Sequence, residues 1–315
     1  MYPVLVITYN RPLAFATVLE ALRGQPISEV FVFSDGPQNE VDHPAVMEVR
    51  ELIQGLDIDR PVRTFFSEEN LGCRRAVTTA IDWVFEHAEA AFILEDDCVP
   101  TADFFVVGNF ILRRYAGDTR VSQFSGRHPP GVPERYFSGG AFGFDILGST
   151  WGWATWKRAW DLFDRDSTAL AAPAAQEILQ GLSTSSRTRV AAVKRGYQAV
   201  VGGQVDTWDY HWAMGRLAGR SLAVIPARNL VANIGFGDDA SHTKSLPFGV
   251  SPGAEKFARM PGLTFVKPNL SAAMLKRVEQ RHRLQRLRVV SARRGKRWMD
   301  KVYLVMVAMR RRIGD

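Results

Sequence analysis

The chain has 315 residues, 46% hydrophobic and 23% charged, an ordinary globular composition with enough length to bury a sizeable core. Its apolar runs stop well short of the ~18 residues a membrane-spanning helix needs, and its only cysteines, Cys73 and Cys98, are too few for a disulfide framework and lie off metal-site spacing. The net charge of +7 is uneven: residues 271–315 hold 14 Lys or Arg against 3 acids, whereas residues 1–270 hold 26 against 30, so the main body offers nucleic acid no basic surface.

Met1-Tyr2-Pro3 runs straight into the strand-like Val4-Leu5-Val6-Ile7, without the basic start of a signal peptide, so a reducing, cytoplasmic setting is expected. In chain order the pattern predicts a strand at 3–8, a helix at 12–23, a strand at 29–34, a helix at 44–56 and a strand at 62–66. A helix at 73–87 follows, with Ala76, Ala80, Trp83 and Val84 on one face, then a fully buried strand at 91–94. Such alternation implies an α/β fold around a mostly parallel sheet with right-handed crossovers. Ligands of these sheets bind beyond the carboxyl ends of the strands, which draws attention to Asn10-Arg11, Asp35-Gly36, residues 68–72 and Glu95-Asp96-Asp97. After residue 117 the alternation loosens, Gly, Pro and Ser become frequent, and Trp151, Trp153, Trp156 and Trp160 crowd together. Further strands are expected at 221–226 and 229–234, and a charged helix at 270–290.

The sharpest feature is Phe92-Ile93-Leu94 running into Glu95-Asp96-Asp97. Three adjacent acids in a partly dry place repel one another, and a divalent cation such as Mg²⁺ or Mn²⁺ is the usual compensation. A solvated acidic turn is the alternative. Asn70-Leu71-Gly72-Cys73-Arg74-Arg75 puts a glycine and two arginines at a helix start, where backbone N–H groups and a guanidinium can grip an anion, with Arg75 the chosen contact and the other arginine facing solvent. Asp206 and Asp209 open another helix within Thr207-Trp208-Asp209-Tyr210-His211-Trp212. Acids in a first helical turn are routine caps, the reading preferred for Asp206; large aromatic neighbours that desolvate a carboxylate favour a base, the reading preferred for Asp209.

Glu95-Asp96-Asp97 followed after five residues by Asp103-Phe104-Phe105 resembles the acidic motif of N-acetylglucosaminyltransferase I. Gly152-Trp153 with Trp160, Val6-Ile7 with Asn10-Arg11, Asp35 after the second strand, and Trp208-Asp209 extend the likeness in order across residues 3–242. More broadly the chain resembles bacterial family 2-like glycosyltransferases. The resemblance implies a single GT-A (Rossmann-like) nucleotide-sugar-binding domain over 1–268, divided into a nucleotide-binding half at 1–117 and an acceptor half at 118–268, with a basic helical tail at 269–315. It implies an inverting hexosyl- or N-acetylhexosaminyl-transferase that uses Mn²⁺ or Mg²⁺ to move a sugar from a nucleotide-sugar, with UDP as the nucleotide, to a hydroxyl of a glycan, lipid-linked or glycoprotein acceptor, in bacterial surface polysaccharide synthesis. Asp97 would bind the metal, Glu95 and Asp96 would hold the nucleotide ribose and the sugar, Asp35 would read the uracil edge and Arg11 help hold the nucleotide, and Asp209 would be the base. In the matched family the last motif is one residue shorter, which leaves the acceptor contacts open. His242, in the glycine-rich run 233–243, is a candidate metal ligand, since transferases of this fold use a late histidine so; a surface turn is the alternative. Trp153 and Trp208 are candidate acceptor contacts, with core packing as the alternative.

A nucleotidyltransferase shares the sheet and the metal but needs a glycine-rich loop after the first strand, and Thr8-Tyr9-Asn10-Arg11-Pro12 has no glycine. A non-catalytic carbohydrate-binding protein is the third class. Residues 276–312 alternate basic residues with Leu284, Leu287, Val289 and Val290 and carry Trp298, the pattern of a peripheral anchor at the anionic inner face of a plasma membrane; docking on the body is the alternative.

Overall fold

The computed structural model describes residues 1–128, 137, 142–173, 175 and 186–235, without the side chains of 186–190 and 192. The first half follows the expected alternation: β1 (Val4–Thr8), α1 (Pro12–Ala21), β2 (Val30–Ser34), α2 (His43–Gln54), β3 (Val62–Phe66), α3 (Gly72–His87) and β4 (Ala90–Glu95). Pro12 sits in the first turn of α1, where its missing N–H costs nothing, and Phe15, Val18 and Leu19 bury one face at helical spacing. On α3 the same spacing buries Ala76, Val77, Ala80, Ile81, Val84 and Phe85.

The second half holds β5 (Cys98–Pro100), α4 (Ala102–Arg114), β6 (Val121–Ser125), β7 (Phe142–Asp145), β8 (Trp153–Trp156), α5 (Lys157–Trp160), α6 (Ser186–Val201), α7 (Asp209–Ala218), β9 (Leu222–Pro226) and β10 (Val231–Asn233). The strands expected at 221–226 and 229–234 are β9 and β10. Strands β5 to β8 are not legible as apolar runs. In β6 every residue is buried, yet three of the five, Ser122, Gln123 and Ser125, are polar and bond within the interior.

One eight-stranded sheet runs β3-β2-β1-β4-β8-β6-β9-β7. β3, β2, β1 and β4 are mutually parallel; β8 is antiparallel to β4 and to β6, β9 parallel to β6, and β7 antiparallel to β9. This mostly parallel, Rossmann-like α/β sheet is the expected fold class. β10 pairs antiparallel with β5, Asn233 standing opposite Cys98. After β1 the chain builds β2 and β3 to one side and then returns to place β4 on the other. The carboxyl ends of β1 and β4 therefore flank the reversal point of the strand order, where open α/β sheets leave a crevice.

The core is continuous across both halves. Phe92, Phe104, Phe105 and Phe124 join α4 to the sheet, while Trp153, Trp160, Trp208 and Trp212 join α5 and α7 to it. Among the described residues no helix is long and apolar enough to cross a membrane. The boundary at 268 and the helix expected at 270–290 lie outside the described residues.

Candidate functional site

Arg11 leaves the end of β1 and reaches across the reversal point to the acids that follow β4. Its Nη1 donates to Asp97 Oδ2 at 2.9 Å, and its Nη2 pairs with Asp96 Oδ1. Burial works to lower the Arg11 pKa, but the charges of Asp96 and Asp97 outweigh it and hold the guanidinium above its ordinary value. Asp96 is buried, and its Oδ2 also accepts from Thr8 Oγ1 at 3.2 Å and from the Tyr9 N–H at 3.3 Å. Removal from water pushes the Asp96 carboxyl up to about 6 against the pull of Arg11.

Asp97 is gripped from the other side as well. Its Oδ1 accepts from Asn233 Nδ2 at 3.2 Å and from the Cys98 thiol at 3.3 Å, and its backbone carbonyl accepts the Ile234 N–H at 2.9 Å. Asn233 Oδ1 accepts the Gly235 N–H at 2.9 Å, which fixes which end of the amide faces Asp97. Gly235 lies so close that an added Cβ would stand 2.0 Å from Asp97 Oδ2.

Glu95, half-buried at the end of β4, has its carboxyl pushed up to about 8. Desolvation is the main cause, followed by the charges of Asp97 and Asp96; Arg11 pulls the other way, and Asp209 adds to the rise. Asp209 opens α7 and accepts from Thr207 Oγ1 at 2.7 Å. Its charge is also felt by the half-buried Cys73 thiol, which burial, then Glu95, Asp206, Asp209 and Asp35, push up to about 12. Asp97 and Asp209 thus both bear on Glu95, although α7 lies far along the chain from β4.

Among the described residues no three His, Cys, Asp or Glu side chains converge as a preformed cation cage. Mg²⁺ and Mn²⁺ take one or two carboxylates and complete their shells with phosphate oxygens and water. Two of the three adjacent acids, Asp96 and Asp97, share the single cation of Arg11. Oxygen donors of this kind suit such an ion.

Other candidates have different surroundings from those expected. Asp35 is buried: its Oδ1 accepts the Gly36 and Leu71 N–H groups, both at 2.9 Å, and its Oδ2 accepts Asn70 Nδ2 at 3.2 Å. Both oxygens already tie the β3–α3 loop to the end of β2. Arg75 is exposed at the start of α3. Asp206 does not cap its own helix: its Oδ2 accepts the Arg74 N–H at 3.3 Å in the first turn of α3, beside a 3.9 Å approach to Arg74 Nε. One N–H of that helix start, read as an anion grip, is therefore taken by a protein carboxylate.

Trp153 and Trp208 need correction. They are 1% and 3% exposed and stack on each other at 5.5 Å and 22° within the core. A sugar platform requires an open ring face, and neither ring has one. His211 is buried against Phe163 and Tyr197. Burial first, and Arg74 second, lower its pKa and keep the imidazole neutral. His242 and residues 276–312 lie outside the described residues.

Sequence reasoning missed Asn233 and Cys98 as the groups that orient Asp97. The run 233–243 stood out only for its glycines; the available signal was a polar residue followed by glycine directly after a short strand.

No protein-family model matches the chain, and no curated protein matches it. Among solved structures, S. aureus TarS 1-349 superposes with a TM-score of 0.42 at 12% identity, over 73% of this chain and 59% of that one. The chain thus spans less than two thirds of that structure, and the likeness is too slight to bear on function.

Proposed function

We propose that this chain is a metal-dependent, inverting glycosyltransferase that moves a hexosyl or N-acetylhexosaminyl group from a UDP-sugar to a hydroxyl of a glycan, lipid-linked or glycoprotein acceptor in bacterial surface glycan synthesis. The observation that carries the reading is that Asp97 and the sequence-distant Asp209 both bear on Glu95 at the reversal point between β1 and β4. Inverting transfer needs a base for the acceptor proton and a positive centre for the leaving diphosphate, both near one anomeric carbon.

In this reading Asp209 accepts the acceptor's hydroxyl proton as that oxygen bonds to the anomeric carbon and the bond to the diphosphate oxygen breaks. The hydrogen bond from Thr207 to Asp209 Oδ1 orients the carboxylate. Asp97 is the residue that would hold Mn²⁺ or Mg²⁺, which supplies positive charge to the departing diphosphate. Arg11, Asn233 and Gly235 set the direction in which Asp97 points. Glu95, half-buried beside them, joins Asp96 in holding the nucleotide ribose and the sugar.

UDP should raise the melting temperature only when Mn²⁺ or Mg²⁺ is present, and Asp97→Ala should abolish that rise. Asp209→Asn should keep the rise and lose transfer, assayed with a panel of UDP-sugars, by about 10²–10⁴-fold, the usual contribution of a positioned base. A UDP-dependent rise that persists at full size under chelator, or that Asp97→Ala retains with metal present, would exclude the metal role.

A further inference from the structure

β3 is the last strand on one side of the eight-stranded sheet, paired with β2 alone among the described residues. The Val30 N–H donates to the Pro61 carbonyl at 2.9 Å, and the Ser67 N–H donates to the Ser34 carbonyl at 3.0 Å. Alternate residues of a strand turn their backbone groups to the same side. Pro61, Arg63, Phe65 and Ser67 therefore face β2, while the N–H and C=O groups of Val62, Thr64 and Phe66 point away from it. Those outward groups have no partner among the described residues.

Sheet edges are commonly guarded by a charged side chain, a proline or a covering element. Pro61 directs its carbonyl to β2 and leaves the outer side of the strand untouched. Arg63, the one charged residue of β3, is drawn back onto its own sheet: its Nε donates to Glu29 Oε1 at 2.6 Å, and its guanidinium lies 5.7 Å from the Phe31 ring centroid. Arg63, Thr64 and Phe65 are exposed in succession. The apolar surface beside this edge is held in place. The Phe65 ring, 37% exposed, stacks on Phe33 at 5.1 Å and meets Trp83 of α3 edge-on at 5.6 Å. On the other face Arg50 of α2 lies over the Phe66 ring, and Met47, one turn before Arg50, is 40% exposed.

We propose that β3 pairs antiparallel with β3 of a second copy of this chain, about a two-fold axis at Thr64, to form a homodimer with one continuous sheet. This register uses every outward group: Thr64 exchanges both of its hydrogen bonds with Thr64 of the other copy, and Val62 exchanges both with Phe66. It sets threonine against threonine and a β-branched side chain against an aromatic one, pairings that favour antiparallel ladders. Past the strand ends the same axis brings Arg60, whose approach to the exposed Asp59 is 3.4 Å, towards the exposed Glu68 of the other copy, so the flanks are complementary in charge. A five-residue ladder falls short of a standard interface, and Phe65, Trp83 and Met47 add apolar area on both faces of it. Each copy's outer edge is consumed, so association closes at two. Nothing in this pairing depends on the transferase reading.

Sedimentation equilibrium of the full chain across a dilution series should show a reversible shift from the 35.2 kDa of one chain towards twice that mass. Thr64→Pro removes an N–H that β2 does not use, so it should keep the melting temperature and stay monomeric throughout. Thr64→Lys and Thr64→Glu each place like charges across the axis at an exposed position, and each alone should weaken dimerisation about tenfold or more. Mixed in equal amounts they should recover it, because residue 64 of one copy faces residue 64 of the other. Amide exchange at Val62, Thr64 and Phe66 should slow as wild-type concentration rises, with Arg63 and Phe65, already bonded to β2, unchanged. A wild type that is monomeric at every concentration, whether residues 236–315 cover β3 or not, would overturn the proposal. So would a dimer that the charged variants leave intact, or charged variants that fail to rejoin when mixed. If Thr64→Pro does not fold, the charged pair decides the question.

Discussion

Glu95 is an acid whose folded-state pKa of about 8 lies far above its ordinary 4.5, chiefly because burial and the neighbouring Asp97 and Asp96 disfavour its charge. Asp96 is raised to about 6 from 3.8 for related reasons. A raised carboxyl pKa means that the folded state binds the proton more tightly than the unfolded chain. The resulting stability is fully present below the unfolded pKa and is lost as pH rises through the folded one. For Glu95 the window is about pH 4.5 to 8, and for Asp96 about 3.8 to 6. Glu95→Gln cannot ionise, so urea unfolding in chelator should show the variant gaining on wild type between pH 5 and 8, by on the order of 1–3 kcal/mol. A difference independent of pH would mean that Glu95 is not held neutral. The residue types were legible in the sequence, but the ranking of their pKa values was not: it depends on Arg11, Asp209 and burial, which no spacing along the chain reveals.

At the scale of elements the site is assembled by chain ends that borrow partners from distant segments. Leu71, at the N-cap of α3, offers no side-chain cap; Asn70 Oδ1 accepts the Gly72 N–H at 3.1 Å, and Asp206 supplies a further acceptor from the segment preceding α7. Asp206→Ala should therefore destabilise the fold by about 1 kcal/mol, the usual value of a lost cap, while Asp206→Asn keeps most of it. Chemical denaturation of both variants measures this cap, and amide exchange that speeds up at Arg74 and not in the first turn of α7 assigns it to α3. The capping role was readable from residue type and position. Which helix receives it was not, because sequence proximity favours the nearer helix and the partners lie 132 residues apart in the chain. β10 works in the same way, bringing Asn233 and Gly235 to Asp97 through its short ladder with β5.

Across the whole molecule the tryptophans decide how α5 and α7 seat on the sheet. Trp153 touches Trp160, Trp208 and Trp212 and is almost wholly buried. Trp153→Ala should cost about 3–5 kcal/mol of stability, as large aromatic truncations in cores do. Full stability with lost transfer would instead point to a substrate contact. Asp209 begins the helix that this cluster seats, so the core reaches into the chemistry through α7. The sequence alone determined the βα alternation of the first half, the parallel sheet and the concentration of polar residues at the strand ends, because apolar period and strand-end chemistry are local properties. Tertiary structure alone decided that Arg11 bridges Asp96 and Asp97, that Asp209 bears on Glu95, and that Trp153 is core. Those outcomes depend on strand order and on which face of a strand meets solvent, and neither is written in the spacing of residues along the chain.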